Sequence, residues 1–559
     1  MGSANGDVSA MTPLNKAHPA VPADPIQVGS FFLETLTTGM YEDPFHSIRE
    51  YIQNGFDAIQ DAVRAGNLPA EDGRVLISVS GSQRTPSLAV RDNGAGISSA
   101  RAYTTLVSLG ASRKTPTLHA GFRGIGRLAG IAYCTTLRFT TSAKGEATAT
   151  VVEYDCGHIR GYFSPGAEPV DVREVMRSSV KTKVIGANEM DHFTEVEMLG
   201  LVNLGKEFVD LVKLQPYLRE VCPVEYGDNF DFADRIRNLA NGFGDALPTI
   251  HVETKVKRER KPIVKPYKNT YPTSRKNIFS RLHNIETFTS REHGWYGWVG
   301  VSNFPGEIVD STAAGIRFRI KNIQVGDAEI IESLAGELTP TGSERRLQPW
   351  AVGEIFVTNA QVVPNARRDG FEDSAAWRLV RGDIKDQVVR RVIKLVRSAS
   401  TTRSAMRFLT EMLRILTNQA QAATLDQPEK ARIEALIKRQ LQTLGSPEKL
   451  IGADPKEVST LTSKFKELAE QMAKRTIPVP GPVAEEADGD EGVEGDEDSD
   501  SDDEPEDSSE DGDEGENEGE APRHTRADVI LAALSTELAE EQAARLTAKI
   551  VHDLEKQGL

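Results

Sequence analysis

Cysteine is scarce in this chain. Only Cys134, Cys156 and Cys222 occur in 559 residues, far apart in sequence and without metal-ligand spacing. That pattern argues against a disulfide scaffold or a cysteine zinc site, and for core cysteines in a reducing cytoplasm. Long apolar runs are missing too. No stretch is long enough to span a membrane, and no charged-then-apolar leader opens the chain. Basic residues are absent from 485–520, where 22 residues are acidic. Such a run cannot bury a core and is expected to be disordered. It reads as a solubilising spacer, a docking tail for a basic partner, or an internal mimic of nucleic acid. Setting those 22 charges aside turns the net charge of −17 into +5, so the remainder is mildly basic.

What is present begins at Glu50-Tyr51-Ile52-Gln53-Asn54-Gly55-Phe56-Asp57-Ala58. At helical spacing, Ile48, Ile52, Phe56, Ile59 and Val63 form one stripe, and Glu50, Asn54, Asp57 and Asp61 the opposite one. Glu50 can polarise a water, and Asn54 can offer its amide oxygen to a hard cation such as Mg2+. The plainer reading is an amphipathic helix with a solvated face.

A strand follows over 74–79 and another over 87–91, with a turn between Gly81 and Pro86. Asp92 sits at the strand end, before Gly94 and Gly96. A carboxylate there can accept a hydrogen bond from the exocyclic amine of adenine. A simple Asp-Asn-Gly turn is the alternative. The third segment runs from Leu106 to Lys114 and on through Gly121, Gly124 and Gly126 to Ala129. Its glycines suggest a loop entering a helix, where backbone N–H groups bind phosphate. Lys114, Arg123 and Arg127 add positive charge. The spacing is neither a Walker A loop nor a dinucleotide fingerprint.

In this order, the three segments resemble the GHKL ATPases: gyrase, the ninety-kilodalton heat-shock chaperones, histidine kinases and MutL. Thr194-Glu195-Val196-Glu197-Met198 resembles the family's last nucleotide box, although Phe193 replaces the usual glycine before Thr194. The resemblance implies an α/β sandwich of the Bergerat type over 28–200, with ATP between helices and sheet. It implies that Glu50 orients the attacking water, Asn54 binds Mg2+ and Asp92 reads adenine. Asp57, Lys114 and Thr194 would join the nucleotide pocket, and Gly94, Gly96, Gly121, Gly124 and Gly126 would shape the pocket and its lid.

Further along, 200–244 reads as helical with loops. Lys255–Lys276 is basic and proline-containing, and is expected to be a loop, either phosphate-contacting or solvated. Strand-like runs at 294–301, 315–321 and 352–357 precede a helix from 375 to about 396, which makes an α+β region. Val363–Glu372 resembles the middle-domain loop of the heat-shock branch, whose arginine reaches the terminal phosphate of ATP. Arg368 matches that arginine and Asn365 the asparagine before it, with Arg367 as a near neighbour. A surface loop paired to Asp369 or Glu372 is the alternative.

The expected chain is α+β. It comprises a flexible arm (1–27), the ATPase domain (28–200), a transducer-like middle domain (201–395), a helical segment (396–475), the acidic disordered linker (476–523) and a small helical end (524–559). The expected activity is that of a Mg2+-dependent ATPase acting as a cytoplasmic homodimeric clamp. Its object is a protein client, as for the heat-shock chaperones. The alternative is nucleic acid, as for MutL and MORC proteins, in stress response or phage defence. No phosphoacceptor-histidine helix upstream of Glu50 favours a histidine kinase.

Overall fold

The computed structural model describes residues 28–476, apart from 38, 41–42, 165, 246, 328, 339–347 and 423–424. The expected N-terminal arm, the acidic run and the C-terminal helical pattern lie outside the described residues.

The chain is α+β. It begins with α1 (Phe31–Thr37) and α2 (Phe45–Arg64), then β1 (Arg74–Gly81), β2 (Pro86–Asp92) and α3 (Ser99–Val107). After a 3-10 helix at Gly126–Ala132 come β3 (Cys134–Ser142), β4 (Thr148–Asp155), α4 (Cys156–Gly161), α5 (Val172–Ser179), β5 (Val180–Gly186) and β6 (Phe193–Leu201). Next are α6 (Leu211–Val221), α7 (Ala233–Phe243), β7 (His251–Val256) and β8 (Glu259–Ile263). These strands form one sheet in the order β5-β4-β3-β6-β2-β1-β7-β8, parallel only between β1 and β7. The first sheet thus draws two strands from beyond residue 200.

The helices cover one face of that sheet. Ile48, Ile52, Phe56 and Ile59 of α2 are buried with Val75, Ile77, Val90, Leu137 and Phe139 of the strands. The opposite face of α2 is not solvated: Glu50 is 9% exposed, Gln53 1% and Asp57 1%. This decides against an ordinary surface helix, because carboxylates are rarely enclosed without a partner.

The second sheet uses β9 (Thr270–Pro272), β10 (Phe279–Ser290), β11 (Trp295–Ser302), β12 (Gly315–Ile320) and β13 (Ile323–Val325). After α8 (Glu329–Leu338) it is completed by β14 (Val352–Val357), giving the order β13-β12-β14-β11-β10-β9. Then α9 (Ala375–Ile384) passes through a π-helical stretch at Lys385–Val389 into α10 (Arg390–Ala420). Trp377, Val380, Ile384, Val388 and Val392 cover one face of the sheet, against Trp295, Ile316, Phe318 and Ile355. Tyr226, Phe230, Ile236 and Tyr267 cover the other, against Tyr296, Trp298 and Phe356. Coverage on both faces explains why every residue of β11 and β14 is buried. α11 (Gln427–Leu444) and α12 (Pro455–Lys474) pack with α10 around Leu409, Leu416, Ile437 and Phe465.

Lys255–Lys276 is not the loop its charge suggested. It takes in the end of β7, the whole of its hairpin partner β8, and β9. Val252 and Thr254 point inward along β7, and Lys265 is buried at 2% exposure. Its Nζ donates to Glu354 Oε1 at 2.7 Å, and the same carboxylate pairs with buried Arg319. The glycine-rich loop read over Gly121–Gly126 runs into a helix, of the 3-10 kind, at Gly126–Ala132. All three cysteines are buried and free, but Cys134 and Cys156 bring their sulfurs to 3.8 Å.

Candidate functional site

The polar face of α2 meets the glycine-rich segment after α3. Asp57 is the anchor. Its Oδ1 accepts from Ala120 N at 2.7 Å, and its Oδ2 accepts from Gly121 N at 2.9 Å and from Lys114 Nζ at 2.9 Å. Lys114 Nζ also lies 3.4 Å from Asn54 Oδ1. Asp57 and Lys114 therefore hold the lid to the helix as the chain stands. Gly126 lies directly on Glu50, where a β-carbon would overlap the carboxylate. Only glycine permits that approach.

Asp92 lies behind this cluster, at the end of β2. Its Oδ1 accepts from Gly94 N at 2.8 Å. Burial pushes its carboxyl up to about 7, against the opposing pull of the Gly94 and Thr194 amides. Gly94 passes so close to α2 that a β-carbon would overlap the Ala58 backbone, and Ala95 N donates to Ala58 O at 2.9 Å. Gly96 packs against the Ser142 carbonyl. Thr194 pairs with Asp92 across the β2–β6 ladder, and its hydroxyl is 3.0 Å from that of Thr141. Thr141 Oγ1 also accepts from Ile97 N at 2.9 Å, tying the glycine turn to β3. Sequence reading missed Thr141 because nothing local distinguishes it from other strand threonines.

The second sheet contributes the loop before α9. Arg368 is 4% exposed at φ +59°. Its guanidinium donates to Ala120 O, and its Nε is 3.8 Å from Glu50 Oε1. Burial, more than anything else, lowers it to about 10, with Glu50 pulling the other way. Arg367 points its carbonyl at Arg49 Nη2, 3.0 Å away. From the lid, Arg123 donates to Pro364 O at 2.8 Å and Asn365 O at 3.3 Å, and pairs with Glu372. Asn365 Nδ2 donates to Asp369. Lys321, in the turn between β12 and β13, donates to Pro116 O at 3.2 Å. The loop is therefore docked on the lid, and Arg368 faces Glu50 rather than Asp369 or Glu372.

Glu50, Asn54, Lys114, Gly121, Gly124, Gly126 and Arg368 all border one cavity of about 60 Å³, while Asp92 and Thr194 stand outside its lining. Small-molecule sites usually measure about 300–1,000 Å³, so the space is too small for one as the chain stands. Among the described residues, no group of three or more His, Cys, Asp or Glu side chains is placed to hold a metal. The donor set nevertheless fits Mg2+. That ion typically takes one or two protein oxygens and fills its shell with phosphates and water. Asn54 Oδ1 and a Glu50 carboxylate border the space, and the buried Gln53 Oε1 beside them has no hydrogen-bond partner.

No curated protein matches the chain. Residues 41–177, spanning α2, the Asp92 turn, the lid and the strands to α5, match the family of histidine kinase-, DNA gyrase B-, and HSP90-like ATPases. A buried acidic helix face closed by a glycine lid, found inside that match, makes this segment a GHKL-superfamily ATPase domain.

Proposed function

We propose that this protein hydrolyses ATP to ADP and phosphate and uses the cycle to open and close a clamp. The observation that supports this most directly is the meeting of Glu50 with Arg368, one from each sheet's layer. In this reading Asp92 accepts a hydrogen bond from the adenine amine. Asn54 holds Mg2+, which when bound neutralises phosphate charge. Glu50 orients a water and takes its proton as the oxygen attacks the terminal phosphorus. Lys114 and the Gly121 amide exchange their contacts with Asp57 for phosphate, and the amides at Gly124 and Gly126 face the same group. Arg368 neutralises charge on the terminal phosphate, as planar guanidinium groups suit.

The functional units we infer are 28–200, 201–395 and 396–475, with β7 and β8 of the second completing the sheet of the first, and with two copies joining as a homodimer in the cytoplasm. Among the described residues, no helix is long and apolar enough to cross a membrane. A protein client is the first reading for the clamp's object, supported by the Asn365–Glu372 loop. Nucleic acid is the second, favoured by the basic cleft described below. Phosphate release measured with Mg2+, with chelator, and with unfolded protein or DNA tests the proposal. Absence of ATP binding would end it.

A further inference from the structure

A larger cleft, of about 720 Å³, lies away from the lid between β10, the end of β11, α10 and the start of α12. Its floor is apolar, with Phe304, Met406 and Leu461. Its rim is cationic: Arg281 from β10, Arg403 and Arg407 from α10, and Lys456 from α12. Arg275 lies close enough to act on Arg403. Burial first, then Arg275 and Arg407, pull the Arg403 guanidinium below its usual range.

These cations lack the partners that surface arginines usually find. Among the described residues, none of Arg275, Arg281, Arg403, Arg407 or Lys456 has an ion-pair partner. Arg403 Nη1 instead donates to the carbonyls of Asn303 and Phe304, at 2.5 and 2.8 Å, which fixes its direction. The acidic neighbours are Glu411, Asp454 and Glu457. Two are already engaged. Glu411 pairs with Arg414, and Asp454 caps α12 by accepting from Lys456 N at 2.9 Å. His283 Nε2 is buried at the cleft without a hydrogen-bond partner, and burial lowers its pKa. It can donate to an acceptor there only in the tautomer that places its proton on Nε2.

We propose that this cleft binds single-stranded nucleic acid, with Arg281, Arg403 and Arg407 on backbone phosphates and the apolar floor against sugars or bases. A single small anion needs one or two such groups. Here α10 lines the cleft from Ala399 to Glu411, about 18 Å at helical rise, which presents separate cations to successive phosphates. Guanidinium groups spaced along a groove beside apolar surface suit the alternating phosphates and sugars of a single strand. The inference stands on the cleft and does not depend on ATP hydrolysis.

Anisotropy titration of the full chain with a fluorescein-labelled oligothymidylate, at several salt concentrations, tests it. Arg281→Glu with Arg407→Glu should weaken binding ~10-fold or more. It should also reduce the log–log salt slope by about 1–2, as for two lost phosphate contacts. Arg281→Lys with Arg407→Lys should keep most of the slope. Both residues are on the rim and outside the ATP site, so melting temperature and basal turnover should not move. A Glu50→Ala protein should bind the strand normally, which separates this proposal from the ATPase reading. Unchanged affinity and slope in the glutamate variant would overturn it, as would no binding by the unaltered protein. Equal binding of poly-glutamate, or displacement of the strand by inorganic phosphate beyond the effect of equal ionic strength, would also overturn it.

Discussion

Arg368 and Glu50, 318 positions apart in sequence, meet with Nε 3.8 Å from Oε1 inside the enclosed face of α2. The acid proposed to activate water is thus already opposed by the cation proposed to meet the terminal phosphate. On the proposed function, admitting nucleotide beneath the glycine segment would separate Arg368 from Ala120 O as well.

Glu50→Ala should leave ATP binding near normal and slow turnover by about 10²–10⁴, the usual range for a lost general base. Single-turnover phosphate release set against calorimetric binding measures both halves. Unaltered turnover would remove Glu50 from the chemistry.

Arg368→Ala should bind ADP normally but fail to reach the ATP-closed state. A ligand shifts an equilibrium only by its differential interaction with the two states. Scattering profiles with ADP and with a non-hydrolysable ATP analogue should differ for the unaltered protein and coincide for the variant. Arg367→Ala is the control for a one-residue error in matching the phosphate-sensing arginine.

Measured above pH 7, where the Asp92 carboxyl is ionised, Asp92→Asn should cost about 1.5–3 kcal/mol of ATP binding, roughly 10–100-fold, by removing a charged acceptor. The same variant should alter the pH dependence of stability. Burial raises the folded-state carboxyl to about 7, well above the ordinary aspartate range, so the folded chain holds more protons between the two. Its ionisation therefore lowers stability as pH rises through that window, by at most about 4 kcal/mol. Melting curves of the variant should lack this fall, and parallel curves for the two proteins would contradict the assignment.

Asp57→Ala should loosen the lid. It removes an acceptor that holds two backbone amides and Lys114, each such bond to a charged group being worth about 1.5–3 kcal/mol. Hydrogen exchange at Ala120 and Gly121 should accelerate while the β3–β4 ladder stays protected. Equal protection in both proteins would show the lid held by other contacts.

Glu354→Ala should destabilise the second sheet by about 3–5 kcal/mol. It leaves Lys265 and Arg319 fully enclosed without their carboxylate. Tyr226 and Trp298 lose an acceptor in the same step. A denaturant midpoint within error of the unaltered protein would be the contrary result.

The sequence was legible where physics is local. α2 shows its stripe at helical spacing, β1 and β2 alternate, and Asp92 announces itself by the glycines that follow. The lid was visible as glycines, but not as a cover anchored by Asp57, because that contact spans 63 positions. Lys265 looked like part of a solvated basic run because its partner lies 89 positions away. Cys134 and Cys156 looked unrelated because the β3–β4 hairpin that aligns them is set by pairing rather than by spacing. The basic cleft was hidden for the same reason. Arg281 and Arg407 belong to different layers, and neither stands in a charged run.

The helix from Arg390 to Ala420 begins inside the packing of the second sheet and ends in the bundle with α11 and α12. Its 31 residues span about 46 Å at 1.5 Å per residue. Such a length is a lever. A tilt of about 10° at its sheet end carries the far end through about 8 Å by simple projection of that span. The π-helical stretch at Lys385–Val389, just where the lever leaves α9, breaks the regular hydrogen-bond ladder at its fulcrum. Any tilt imposed at the α9 end of this helix would be enlarged by its length where it meets α11 and α12.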